Sequence, residues 1–264
     1  MEAARETGRK VVDGHDAEAA LVRRYFRAVL GDQAAGDRLA DALPPQPRFG
    51  QGVRGAGAAR VLCDAMRRWR RVHAQAVGAA PFSPASLVRA LPPGRAPSRQ
   101  AAILCDVFEL SIAEAAEALD RSSGEVTMLL AEGRAAASAP LGARVLIVED
   151  DPLVAEHLAQ VARDVGARRV TIAKNASEAM ASVPPDIAVC DYDLGDGPTG
   201  ADVVRRLSAE HGTACLFVTA HPERASRGGD GEPAFIVAKP FAEGVVRAAL
   251  RFAATAPRYD VLAA

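Results

Sequence analysis

Five polar residues stand at the ends of apolar runs in the last half of the chain: Glu149-Asp150 after Val145–Val148, Asp191 after Ile187–Cys190, Thr219 after Cys215–Val218, and Lys239 after Phe235–Ala238. A short apolar run bounded by turn signals reads as a buried strand. The run into Asp191 is followed at once by Leu194-Gly195-Asp196-Gly197-Pro198. Asp191 therefore belongs at the C-terminal edge of a strand, where chemistry collects in open α/β sheets. Glu149, Asp150 and Asp191 together would make a hard-oxygen site of the kind that holds Mg²⁺ with its waters. Asp191 reads as a carboxylate that receives a phosphoryl group.

The elements that position these groups alternate. A fifth apolar run, Arg169–Ile172, lies between the first two, and helical stretches separate the runs at Pro152–Val165, Ser177–Ser182, Ala201–Ala209 and Phe241–Ala254. Repeated βα units imply a doubly wound parallel sheet, which carries all the strand-end groups to one edge. Asp151 reads as the N-cap of the first of these helices, with Pro152 at its first position.

An acid pair, an Asp, a Thr and a Lys-Pro in this order resemble the receiver domain of two-component response regulators over residues 143–255. The resemblance implies a flavodoxin-like (βα)5 fold. It implies Asp191 as phosphoacceptor and nucleophile, and Mg²⁺ held by Glu149, Asp150, Asp191 and the backbone carbonyl of Tyr192. Thr219 and Lys239 would take phosphoryl oxygens, and the Lys239–Pro240 peptide would be cis. The chain departs from the receiver pattern in places. Gly195 stands where a proline is common, Asp193 adds an acid beside the site, and Ile236 occupies the usual aromatic switch position. Gly228, Gly229 and Gly231 interrupt the region of the fourth helix, which implies local mobility.

The first half reads as helical. Stripes run over Asp16–Leu30, Gly36–Leu43 and Ala58–Ala76, the last with Val61, Leu62, Ala65, Met66, Trp69 and Val72 on one face,. Arg67, Arg68, Arg70 and Arg71 fall largely on the other side, as a solvated face or a patch for phosphate or an acidic partner. Gln46–Gly57 reads as a loop, and Ala79–Pro97 as a proline-rich connector around a short helix near Ala85–Leu91. Then come Gln100–Glu109 and two capping boxes, Ser111-Ile112-Ala113-Glu114 and Ser122-Ser123-Gly124-Glu125, each opening a helix,. Two short helices joined by a tight turn make a helix-turn-helix pattern.

The stretches Leu91-Pro92-Pro93, Gln100–Leu104 and Ser111–Leu119 resemble region four of small extracytoplasmic-function sigma factors. In such factors the last helix enters the major groove and carries basic residues. Here Gly124–Gly133 holds two acids and no Lys or Arg. Residues 98–139 carry 3 Lys/Arg against 7 Asp/Glu, whereas residues 1–97 carry 16 against 9. Phosphate contacts need cations, so the acidic segment reads as a sigma-shaped surface that binds protein rather than promoter DNA.

A sigma-like half at residues 1–140 joined to a receiver at 141–264, with Thr219-Ala220-His221-Pro222-Glu223 after the fourth strand, resembles the PhyR family of general stress response regulators. The resemblance implies a phosphorylation-controlled anti-anti-sigma factor and not a dedicated enzyme, although a receiver can dephosphorylate itself. A sensor histidine kinase would phosphorylate Asp191. The receiver would then release the sigma-like half, which would capture an anti-sigma factor of the NepR type and free a sigma factor. The closed contact is expected on the fourth strand, the fourth-helix region and the fifth strand. Two alternatives have different signatures. A sigma factor acting directly on promoters fits the basic first 97 residues but not the acidic last helix. A haloacid dehalogenase-like phosphatase fits Asp191-Tyr192-Asp193, but that family places an acid pair after the lysine, and the Phe241–Ala254 tail has none.

The totals fit this picture. With 264 residues the chain accommodates two domains,. Cys63, Cys105, Cys190 and Cys215 form no C-x-x-C pair and sit in apolar stretches, as buried free thiols of a reducing cytoplasm do. The start lacks a signal-peptide pattern, and no uncharged stretch reads as a membrane span.

Overall fold

The computed structural model describes residues 14–43, 56–76, 96–195, 198–225 and 232–255. The expected frayed start, the Gln46–Gly57 loop, the short helix near Ala85–Leu91 and the glycine-rich run at 226–231 lie wholly or mostly outside them.

The first half comprises α1 (Gly14–Leu30), α2 (Gln33–Asp41), α3 (Ala56–Gln75), α4 (Pro97–Asp106), α5 (Ile112–Leu119) and α6 (Ser123–Ala136). Apolar residues three and four apart on α1 and α3 face each other, and Phe26 meets Trp69 edge to face at 5.0 Å,. The α2 helix begins at Gln33, three residues earlier than its sequence suggests. Asp32 caps it by accepting from the Ala35 N–H at 2.6 Å,. Gly36 lies inside the helix because α1 presses on it: a Cβ there would stand 2.5 Å from the backbone nitrogen of Arg27. Both capping boxes form, Ser111 with Glu114 and Ser122 with Glu125.

The arginines of α3 form neither a free patch nor a wholly solvated face. Arg68 is buried and bonded to Asp64 at 2.8 Å, Arg67 pairs with Glu117, and Arg70 donates to the Ala118 carbonyl at 2.7 Å. Two of them therefore tie α3 to α5. Sequence periodicity places a residue on a face but does not say what lies opposite it.

The second half alternates β1 (Arg144–Val148), α7 (Pro152–Asp164), β2 (Arg169–Ala173), α8 (Ala176–Ala181), β3 (Ile187–Cys190), α9 (Gly200–His211), β4 (Ala214–Thr219), α10 (Pro222–Ala225), β5 (Phe235–Ala238) and α11 (Glu243–Ala254). The strands form one parallel sheet in the order β2-β1-β3-β4-β5. Val145 and Ile147 point to the face covered by α7 and α11, and Leu146 and Val148 to the face covered by α8 and α9, as the period of two along a strand requires. Asp151 caps α7, accepting from Leu153 and Val154. All four cysteines are free thiols, with Cys63 and Cys190 buried but Cys105 and Cys215 only half-buried. Among the described residues no helix is long and apolar enough to cross a membrane.

The halves meet at the outer strand β5 and at α11. Arg24 donates to the Ile236 carbonyl at 2.7 Å, and Arg27 to the Glu232 carbonyl at 2.8 Å. Arg99 donates to the Phe252 carbonyl at 2.9 Å and lies over the Phe252 ring, while Arg251 reaches back to the Ala137 carbonyl. The expected fifth strand is thus part of the contact, and α11, which the sequence reading left out, joins it because it flanks the exposed sheet edge. Burial lowers the Arg24 guanidinium to about 10, against the pull of Glu232, so it stays charged at neutral pH.

The crossing of α4 and α6 turns on Gly133, where a Cβ would stand 2.3 Å from the Ser98 carbonyl oxygen. Gly133→Ala is expected to cost about 1–3 kcal/mol by overpacking, read as a lower urea midpoint. An unchanged midpoint would show that the two helices separate freely.

Candidate functional site

Strand register assembles the site. Val148 pairs with Cys190, so the next residues, Glu149 and Asp191, stand side by side. Thr219 pairs with Ala238, which brings Lys239 to the same edge, and the Lys239 N–H donates to the Thr219 carbonyl at 2.8 Å. The first polar residue at the end of each of these apolar strands therefore stands at the sheet's carboxyl edge,.

The Lys239 ammonium is the centre of the cluster. Its Nζ lies 2.7 Å from Glu149 Oε2 and 2.7 Å from Asp191 Oδ2. Burial works against the charged lysine, but its hydrogen bonds to Asp191 and Glu149 win and raise it. Glu149, almost wholly buried, is raised above the usual carboxylate range by desolvation, with Lys239 opposing and Asp191 adding to the rise. Asp150 is exposed. Glu149, Asp150 and Asp191 can each turn an oxygen to a common point, all within 4.8 Å of one another. The donor set suits a hard divalent cation. The Tyr192 carbonyl accepts from the Gly200 N–H at 2.9 Å and keeps a second lone pair for such a cation. Thr219 is fully buried on the same edge, and its hydroxyl accepts from the His221 N–H at 3.0 Å. The Lys239–Pro240 peptide is cis.

The sequence-derived residues therefore converge on one edge. Two others matter there and were not foreseen. Gly200 packs on the acceptor's own backbone, since a Cβ would fall 1.9 Å from the Asp191 carbonyl oxygen. Its position at the start of a helix, just after Pro198-Thr199, was the available signal. Arg224 pairs with Asp193 at 2.8 Å and lies over the Tyr192 ring. No local pattern could have disclosed that contact, which joins residues 31 apart across α9 and β4.

The response regulator receiver domain family matches residues 145–251. The phyllosphere-induced regulator PhyR of Methylorubrum extorquens is 30% identical over 260 residues, covering 90% of this chain and 94% of that protein. A solved structure of the PhyR stress response regulator is 30% identical with a TM-score of 0.70, covering 93% of this chain and 98% of the other. The anti-anti-sigma factor PhyR from Bartonella quintana is 25% identical with a TM-score of 0.68, over 90% and 92% of the two chains. The N-terminal helices and the five-stranded receiver are thus matched together.

Glu149 gives the site a pH signature. Its folded value lies above the ordinary 4.5, so the folded chain holds this proton more tightly than the unfolded one. Its contribution to stability is full below about pH 4.5 and is lost as pH rises through the raised folded value,. Glu149→Gln removes that titration. In EDTA, the wild-type urea midpoint should fall relative to that of Glu149→Gln as pH rises from 4.5 to neutral, and parallel profiles would contradict the assignment.

Proposed function

The chain belongs to the PhyR family, and from that premise we propose that it is a phosphorylation-controlled partner switch, with a sigma-like half at residues 1–140 regulated by a receiver at 141–264. Asp191 accepts the phosphoryl group from the phosphohistidine of a sensor histidine kinase. An Asp191 oxygen forms the new bond to phosphorus while the P–N bond breaks, and the imidazole leaves with the electron pair and takes a proton from water. Glu149, Asp150, Asp191 and the Tyr192 carbonyl would hold Mg²⁺, which offsets repulsion between carboxylates and phosphodonor. Lys239 exchanges Glu149 for a phosphoryl oxygen, and the Thr219 hydroxyl turns from the His221 N–H to another. The observation that carries this reading is the Lys239 ammonium at 2.7 Å from both Asp191 and Glu149. A charge added there acts directly on the residue that ends β5.

The partner follows from the other half. One relative is described as an anti-anti-sigma factor, and the same role here has this chain capture a NepR-type anti-sigma factor in the cytoplasm, freeing a sigma factor for stress transcription. The surface favours protein over DNA. Glu125 is bound up in its capping box, Arg134 pairs with Asp106 at 2.6 Å, and α6 turns Met128 outward. In the closed state Arg24, Arg27 and Arg99 hold the halves together across β5 and α11.

Occupying the site with beryllium fluoride and Mg²⁺ should raise affinity for a NepR-type anti-sigma factor at least about tenfold, or about 1.4 kcal/mol, in wild type but not in Asp191→Ala. Arg24→Ala should raise the affinity of the untreated chain in the same direction, because it removes a closing contact and leaves the phosphoryl site intact. Unchanged affinity with beryllium fluoride bound at Asp191 would overturn the scheme. A salt-dependent shift of promoter DNA would favour direct promoter binding instead.

A further inference from the structure

Arg224 on α10 borders the acceptor loop through Asp193 and Tyr192, but the phosphoryl chemistry proposed above gives it no role. Its guanidinium lies 2.8 Å from Asp193 Oδ1 and 3.0 Å from Oδ2, and 5.4 Å from the centre of the Tyr192 ring. Asp193 in turn donates its N–H to Asp191 Oδ1 at 3.2 Å, while Lys239 holds Oδ2. Lys239 thus holds one acceptor oxygen directly, and Arg224 is linked to the other through Asp193. We propose that Arg224 is a second phosphoryl ligand, kept in reserve by Asp193 until Asp191 carries a phosphoryl group. The proposal rests on Asp191 being the acceptor.

The competition is set by charge. The Arg224–Asp193 pair is substantially exposed, with side chains 44% and 36% accessible, and pairs of that kind are weak and screened. A phosphoryl group brings roughly −1.5 to −2 charges and three acceptor oxygens, against the single charge of Asp193. The planar guanidinium fork suits phosphoryl oxygens better than an ammonium does. The new dianion also repels Asp193 from its present place. Transfer of Arg224 would draw α10 toward the site. The Thr219 hydroxyl already grips the His221 N–H at the entrance to α10, so both movements load the same short helix. The chain then leads on to Glu232, whose carbonyl holds Arg27.

Beryllium fluoride binding, in Mg²⁺, to wild type, Arg224→Gln, Asp193→Asn and the double variant tests this. Arg224→Gln is expected to weaken binding by on the order of tenfold. Asp193→Asn is expected to strengthen it severalfold, and the gain should vanish in the double variant, because releasing Arg224 is its cause. The Arg224 Nε–H resonance should shift on binding. If both single variants weaken binding, the pair is a structural clasp and the proposal fails. It fails also if the Asp193→Asn gain survives in the double variant, which marks plain relief of repulsion, or if Arg224→Gln binds as wild type does. If wild type itself binds no beryllium fluoride, or binds it as Asp191→Asn does, the acceptor assignment is wrong and this inference goes with it.

Discussion

One ammonium group shared by two carboxylates organises the receiver. Glu149 and Asp191 are forced together by strand register, and a cation between them offsets the repulsion of two carboxylates at a largely buried edge,. Lys239 supplies it from the end of β5, at 2.7 Å from each. The backbone around the cluster is correspondingly tight: Gly200 leaves room for the Asp191 carbonyl, and Lys239 is anchored to Thr219 through its N–H. Any anion placed on Asp191 must redistribute that one positive charge, so the cluster cannot register a phosphoryl group without disturbing the end of β5.

That disturbance matters because β5 is the outermost strand. Its open side faces the helical half, whose arginines reach backbone carbonyls at Ile236 and Glu232. Part of the basic surplus of the first 97 residues, which by itself suggests a polyanion partner, is taken up within the molecule. Arg27 clasps Asp37 at 2.6 and 2.8 Å, and the α3 arginines tie onto Asp64 and α5. Net charge counted along a segment says little about the field outside it when the cations face carboxylates and carbonyls within the molecule.

The receiver was legible because its signals are local. Apolar runs of four to six residues fix the strands, period two fixes their faces, and parallel alternation then fixes which polar ends meet. The capping boxes of α5 and α6 were legible for the same reason. What escaped depends on contacts distant in sequence. Gly36 looks like a helix breaker until α1 is laid against it, and Arg224 looks like one more surface arginine until the loop after β3 folds beneath it. The participation of α11 in the contact between the halves likewise follows from strand order, which alternation alone leaves open.

The capped edge of β5 carries a liability as well as a lock. If Arg24 let go, the Ile236 carbonyl on a terminal strand would lose its donor and the strand's open edge would face water, the geometry on which stray strands and second copies add themselves. On the proposed scheme the liberated form would therefore be the adhesive one. Such a molecule would be safest if opening and capture were nearly simultaneous, which would favour a client already waiting in solution over one that must first be made.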